Sequence, residues 1–495
     1  NSLTLFGSRA ASLSSVMIVQ LYSSSYNDDK KLLTFSDNVQ DAAHRAGFYN
    51  ARTFRFNFRT ALQRVVLDVG DGMTLAQLPD AFIKFWSKQI DENSYISTFL
   101  APNMAWLYDY EHLKKSGYLP RESTLRQDVD KRIGWEIISE YGFQARIGRT
   151  LEKTGSSIVY FDQELLKKSV SLMLEPIRNE IGVFREIDED QLSRFLLGLI
   201  VHIKNQGGVF LPVLNPYIND FGNTYLINKN IWMPNFGPGS RAPTFLTTKK
   251  GTRFDQLFSS TSTGLTWYQS WVAKCFMTIP LVDAVTRELY ELVMKILVDE
   301  GVLEPRLVKD EMVWGIRPEV LRVSTRVKQL RCERCGHNLS VSEEESDIFV
   351  NVLCQRSHCS GQYAPITTKV DYYGKLYKTG TVERIFAQEH TGLLEREERE
   401  QLELDFKADV ENRQPWFPNL LSCTPTLELG IDIGDLSSLI LCSVPPAQTN
   451  YLQRVGRAGR RDGNALSLTV ANARPHDLYF FAEPEEMLAG HVDSP

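Results

Sequence analysis

Residues 419–461 read NLLSCTPTLELGIDIGDLSSLILCSVPPAQTNYLQRVGRAGRR, and this stretch decides the fold. Leu420–Cys423 and Leu436–Val444 are short apolar runs, the second bounded by Gly434-Asp435 before and Pro445-Pro446 after. Such runs are the pattern of strands buried on both faces of a parallel sheet. After the prolines, Thr449 or Asn450 can cap a helix that runs to about Gly459. Gln453, Arg457 and Arg460 then fall at i, i+4 and i+7, so one stripe carries an amide and two guanidinium groups, with Gly456 leaving room for close approach. Arg454 and Arg461 point away from that stripe. Two planar guanidinium forks at the edge of a parallel sheet suit a polyphosphate whose charge must be stabilised during transfer. The plain alternative is a solvated basic helix end.

TPTLELGIDIGDL (424–436) followed by NYLQRVGRAGRR (450–461) resembles motifs V and VI of superfamily 2 DEAD/DEAH-box helicases, in their second RecA-like domain. The resemblance implies that Arg457 and Arg460 reach the γ-phosphate of an ATP held with Mg2+ by the first RecA-like domain, with Gln453 beside them. It implies that Asp432 contacts the nucleotide ribose, that Thr424 meets a nucleic-acid phosphate, and that Gly430 makes the tight turn between them. KLLTFSDNVQDAAHRAGF (31–48) resembles the first strand and motif IV of the same domain in the large bacterial DNA helicases. Ser36 and Asn38, at a helix N-terminus, are placed to hold a backbone phosphate. Simple capping of that helix by Ser36 or Asp37 is the alternative.

The 495 residues suffice for two to four domains, and 43% hydrophobic with 23% charged residues is an ordinary globular composition. A formal net charge of −6 gives no overall basic signature, so any nucleic-acid surface must be a local patch. No apolar run reaches the roughly 18 residues of a membrane span, and the opening residues read as an amphipathic helix, Ala10–Tyr22, rather than a signal peptide. The expectation is a cytoplasmic protein with no membrane partner. A helicase motor also needs a Gly-x-x-x-x-Gly-Lys-Ser/Thr loop and an acidic magnesium motif after a strand. The sequence contains no such glycine loop, and Asp188-Glu189-Asp190 and Asp310-Glu311 follow no buried strand. The chain is therefore expected to be the second half of a motor whose first half lies upstream, and to be inactive alone.

Residues 1–50 supply an N-terminal helix, the strand Leu32–Phe35 and motif IV, and residues 371–495 the remainder of the RecA-like domain, with strands at Arg384–Ala387 and Leu466–Val470 and a solvated helix at Leu393–Phe406. What lies between is too long for a loop and must fold by itself. The expected fold class is α/β: a RecA-like parallel sheet with helices on both faces, interrupted by a large, mostly α-helical insertion containing a winged helix and a zinc ribbon. The insertion is expected to run as a helical part (51–280), a winged-helix-like part (281–325) and a four-cysteine zinc ribbon (326–370).

Near its start, Arg52, Arg55 and Arg59 alternate with Phe54, Phe56 and Phe58. Arginine interleaved with aromatics fits a single-strand platform; the alternative is a helix whose phenylalanines face a core while its arginines face water or phosphate. Val285–Asp299, Val302–Leu307 and Met312–Ile316 form the helix and two-stranded wing. Cys332-x-x-Cys335 and Cys354-x4-Cys359 offer four thiolates for a closed, structural Zn2+ site, with His337 and His358 as neighbours. Glu389-His390-Thr391, at a strand end, resembles a phosphate-binding turn of the family, which adds His390 and Thr391 to the nucleic-acid set.

The resemblance implies the C-terminal motor half of an ATP-dependent DNA helicase or translocase, with a DNA-repair or phage-defence role suiting helicases of this appearance. A non-catalytic nucleic-acid-binding scaffold and an RNA helicase are the alternatives.

Overall fold

The computed structural model describes residues 9–24, 27, 29–143, 148–237, 241–259, 264–276, 283–350, 352–366, 371–424, 434, 436–459, 463 and 465–489. The chain parts into two compact units: residues 1–60, 90–125 and 379–495 form one, and residues 61–89 and 126–378 the other. This division cuts across the expected boundaries, because residues 90–125 belong with the first unit rather than with the rest of the insertion.

The first unit is built on a five-stranded sheet of β1 (Leu32–Phe35), β2 (Ala387–His390), β3 (Leu420–Cys423), β4 (Ser438–Leu441) and β5 (Leu466–Thr469). Its order is β2-β3-β1-β4-β5, and every pairing is parallel. The strand nearest the N-terminus is thus the central one. Leu33, Leu421 and Leu439 share one register row, and Phe35, Cys423 and Leu441 the next. These six residues make one apolar face, covered by Leu402 and Phe406 of the helix Arg396–Lys407 and by Tyr451 and Val455 of the helix Gln448–Val455. On the opposite face, Tyr49 of the long helix Val39–Val69 reaches Cys442 Sγ at 3.5 Å. Helices therefore cover both faces, as a sheet of four-residue apolar strands requires.

Several boundaries differ from the sequence reading, three of them as follows. β2 begins at Ala387 and not at Arg384, because the Phe386 N–H is taken by Asn419 Oδ1 before the ladder starts. β4 is shorter than Leu436–Val444, since Ser437 N–H donates to Asp29 Oδ2 and Leu436 forms an isolated bridge with Ala458. The helix expected from Leu393 starts at Arg396, behind Glu395 at its N-cap.

The second unit is helical with three small sheets. Its Glu189–Gln206 helix opens on a capping box of Asp188 with Gln191 and stops at Gly207, whose φ of 90° suits a residue without a side chain. The helix Asp283–Asp299 precedes the hairpin Leu303–Val308/Glu311–Ile316. Lys309 and Asp310 turn that hairpin with φ of 48° and 66°, the conformation that matches strand twist in a two-residue loop. Leu246–Thr247 and Asp255–Gln256 extend the hairpin to a four-stranded sheet. Among the described residues no helix is long and apolar enough to cross a membrane.

Candidate nucleotide and nucleic-acid site

Parallel strands leave their carboxyl ends along one edge of a sheet, where ligands of open α/β sheets bind. Phe35, Cys423 and His390 are in register there. The residues that follow them, Ser36, Thr424 and Thr391, form a row: Ser36 N–H donates to the Cys423 carbonyl at 2.8 Å and Thr424 N–H to that of His390 at 3.3 Å. All three are buried. Ser36 Oγ and Thr391 Oγ1 have no hydrogen-bond partner among the described residues, a state that costs about 1–3 kcal/mol per group unless a ligand or water completes it. His390 is different. Its ring is fully buried and Nε2 lies 2.9 Å from Glu403 Oε1, so it braces the Arg396–Lys407 helix and offers no face to a nucleic acid.

Asn38 supplies the cap expected of Ser36 or Asp37. Its Oδ1 accepts from Asp41 N–H at 2.8 Å, and its Nδ2 donates to Asp41 Oδ2 at 3.1 Å. Asp37 is left free to turn back over the sheet edge, where it accepts from Ser443 Oγ at 2.7 Å. Arg454 Nη1 stands 3.8 Å from Asp37 Oδ1 and Arg474 Nη1 3.7 Å from Oδ2. Arg454 is 1% exposed and its guanidinium lies over the Phe35 ring at 5.6 Å.

The arginine stripe is not a continuous helical face. The helix ends at Val455, and Gly459 N–H donates to the Leu436 carbonyl at 2.7 Å, drawing the following turn onto the sheet. Gln453 is exposed on the helix, whereas Arg457 sits in the turn and is only 6% exposed. Arg460, Asp432 and Gly430 lie outside the described residues.

On the Val39–Val69 helix, Phe54, Phe56 and Phe58 are buried and make no stacking surface. Arg55 is exposed, Arg52 is half-buried over the Phe56 ring at 5.5 Å, and Arg59 is buried. Of the expected row of three arginines, Arg55 is thus the exposed one.

In the second unit, Cys332, Cys335, Cys354 and Cys359 bring their sulfurs within 4.8 Å of one another. Cys332 Sγ lies 3.6 Å from Cys359 Sγ, and Cys335 Sγ 3.7 Å from Cys354 Sγ. Four sulfurs at about 2.3 Å from a tetrahedral zinc would stand about 3.8 Å apart, so the thiols fit that ion. Gly336, with φ of 69°, turns the knuckle. Gly361 lies so close that a Cβ there would sit 2.7 Å from Cys332 Sγ. His337 Nδ1 is instead 2.7 Å from the Tyr363 hydroxyl, and His358 is exposed. The four cysteines would fill the coordination sphere of such an ion, leaving no open position for chemistry.

The all-parallel sheet and its two helical faces define a RecA-like α/β lobe. Residues 350–462 match the helicase conserved C-terminal domain, and that segment resembles the C-terminal half of superfamily 2 helicases. It is similar to the Druantia protein DruE of Escherichia coli, 40% identical over 116 residues, which is 22% of this chain and 6% of that protein. It is also similar to the ATP-dependent helicase HRQ1 of Saccharomyces cerevisiae, 46% identical over 65 residues (13% of this chain, 6% of that one), and to the ATP-dependent helicase YprA of Bacillus subtilis, 44% identical over 62 residues (12% and 8%). A crystal structure of the DUF1998 helicase MrfA bound to DNA and AMPPNP aligns at 26% identity over 25% of this chain and 16% of that one, with a TM-score of 0.20. The chain therefore matches less than a tenth of the length of each of these three curated relatives.

Proposed function

We propose that this chain supplies the C-terminal lobe of an ATP-dependent DNA helicase or translocase and completes, from its side, a nucleotide site held by another RecA-like lobe. The row of Ser36, Thr424 and Thr391 is the observation that carries this reading: hydroxyls kept at three neighbouring strand tips, those of Ser36 and Thr391 with no partner among the described residues, suit a phosphate backbone lying across the edge. Asn38, capping the next helix, points that helix's N-terminus toward the same edge.

Arg457, with Arg460, Asp432 and Gly430, is the set this lobe contributes to ATP. The nucleotide with Mg2+ supplies the free energy of phosphoryl transfer. Arg457 stabilises the charge that develops, and Gln453 lies one turn before it. With no phosphate-cradling glycine loop in its sequence, this chain alone does not hydrolyse ATP. The cysteine cluster holds a structural Zn2+, and the helix Asp283–Asp299 with its hairpin serves as a winged helix on the duplex.

Replacing Arg457 by alanine in the full-length parent tests the motor. Turnover stimulated by single-stranded DNA is expected to fall by about a thousandfold or more while DNA binding is kept. Unchanged turnover would favour the second reading, a nucleic-acid-binding scaffold without hydrolysis, which the burial of Arg457 supports. Stronger stimulation by RNA than by DNA would reassign the substrate.

A further inference from the structure

The aromatic surface that the Phe54–Phe58 segment does not provide exists elsewhere in the same unit. The helix Tyr108–Ser116 buries Tyr110 and Leu113 and presents Tyr108 and His112, one turn apart, on its outer side. Gly117 closes this helix in the left-handed conformation, with φ of 80°, its N–H donating to the Leu113 carbonyl. That reversal folds Tyr118 back onto the helix, with its carbonyl oxygen 3.1 Å from His112 Nδ1 and its ring centroid 5.3 Å from that of His112. Tyr108 flanks the imidazole on the other side at 6.2 Å. Trp106 stands in the turn just before the helix.

Tyr108, Tyr118 and Trp106 are 74%, 64% and 65% exposed. Burying their ring area in the core would have stabilised the fold, so the Tyr108–His112–Tyr118 cluster left in water, with exposed Trp106 two residues before it in sequence, marks a binding surface. The segment is also held firmly. Asn93 Nδ2 donates to the Gly117 carbonyl at 3.1 Å, and Ser123 Oγ donates to Asp109 Oδ2 at 2.5 Å.

We propose that Trp106, Tyr108 and Tyr118, with His112 between the tyrosines, form a stacking platform for the bases of single-stranded DNA. The proposal rests on the nucleic-acid reading of the strand-tip row and adds to it a second contact of a different kind, with bases rather than phosphates. Lys114, Lys115 and Arg121, all exposed, lie close in sequence to Tyr118 and suit the phosphates between stacked bases. Asp109 is engaged by Ser123 Oγ, while Glu111 and Glu122 offset part of the basic charge. The rings therefore carry most of the affinity of this surface.

The test measures binding of a fluorescent single-stranded DNA, and of the same strand with abasic sites, to the full 495-residue chain. Each of Trp106→Ala, Tyr108→Ala and Tyr118→Ala is expected to weaken binding of the intact strand by about tenfold. Tyr108→Phe and Tyr118→Phe, which keep the stacking face, are expected to bind as the unaltered chain does. The abasic strand is expected to bind the unaltered chain and the alanine variants equally weakly. Intact-strand binding that the alanine variants leave unchanged overturns the platform and leaves the surface to a protein partner. No binding of any single strand by the unaltered chain overturns the underlying nucleic-acid reading instead. Tighter binding of RNA of the same sequence overturns the choice of DNA.

Discussion

Arg454 Nη1 lies 3.8 Å from Asp37 Oδ1, and this ion pair ties the loop after the central strand to the helix that leads into the arginine turn. Asp37 stands between Ser36 and Asn38, and Arg454 follows Gln453. One contact thus links the loop after β1 to the helix Gln448–Val455. The arginine is buried and the aspartate partly exposed, so removing the carboxylate takes an anionic neighbour from a buried cation. Asp37→Ala is expected to destabilise the chain by about 2 kcal/mol, the exposure of Asp37 keeping it below the cost of a fully buried pair. Urea unfolding measures this, and an unchanged midpoint refutes it.

Hydroxyl and guanidinium contacts to phosphate are separable by salt. Ser36→Ala and Thr391→Ala remove neutral donors, so each is expected to weaken DNA binding about fivefold at every salt concentration. Arg55→Ala removes a charge and is expected to lower the slope of log affinity against log salt by about one. Titrations at three salt concentrations distinguish these outcomes. A change of slope in the hydroxyl variants would be inconsistent with neutral contacts.

Zinc content provides a third check. The intact chain is expected to carry one zinc ion, which Cys354→Ser or Gly361→Ala removes, the latter because its Cβ would sit 2.6 Å from Arg334 Cβ and 2.7 Å from Cys332 Sγ. Both variants should lose metal by elemental analysis and melt at lower temperature, since a structural zinc contributes on the order of 10 kcal/mol to folding a small ribbon.

A pH effect follows from Glu345 in the second unit. Its side chain accepts from Phe161 N–H at 3.1 Å and closes a capping box with Ser342. Burial pushes its pKa up to about 7, against the pull of nearby Lys204, which is itself paired with Glu152 at 2.9 Å. A carboxyl raised on folding binds more protons in the native state, so stability falls as pH climbs from the unfolded value near 4.5 through about 7. Glu345→Gln, which keeps an acceptor, is expected to stabilise the chain by about 2–3 kcal/mol at pH 8 and to change little at pH 4.5. Equal effects at both pH values would show that the ionised form costs nothing.

The apolar strand runs were legible because four-residue segments between turn signals have few other readings. What the sequence reading missed came from following one spacing and not its neighbour. Tyr451, Val455 and Ala458 lie at i, i+4 and i+7 and pack on the sheet, and Arg454, at i+3, belongs to that buried stripe. The outward stripe of Gln453, Arg457 and Arg460 assumed a helix that ends at Val455. In the Val39–Val69 helix the phenylalanines were placed correctly in the alternative with a core, but Arg59 is buried beside them. The exposed rings of Trp106, Tyr108 and Tyr118 left no mark in periodicity. Only Gly117, which ends the helix and returns Tyr118 to it, signals their meeting, and its consequence is three-dimensional.

The central place of β1 also bears on how the polypeptide is made. Thr34 Oγ1 donates to the carbonyl of Leu421, 387 residues further along. At translation rates of about 5–20 residues per second, the middle strand waits unpaired for roughly 20–80 s before the ribosome delivers its first neighbour. Until then its apolar run is exposed to whatever else is present in the cell. Slowed elongation across residues 61–378 would lengthen that exposure and lower the yield of folded protein without altering a single native contact.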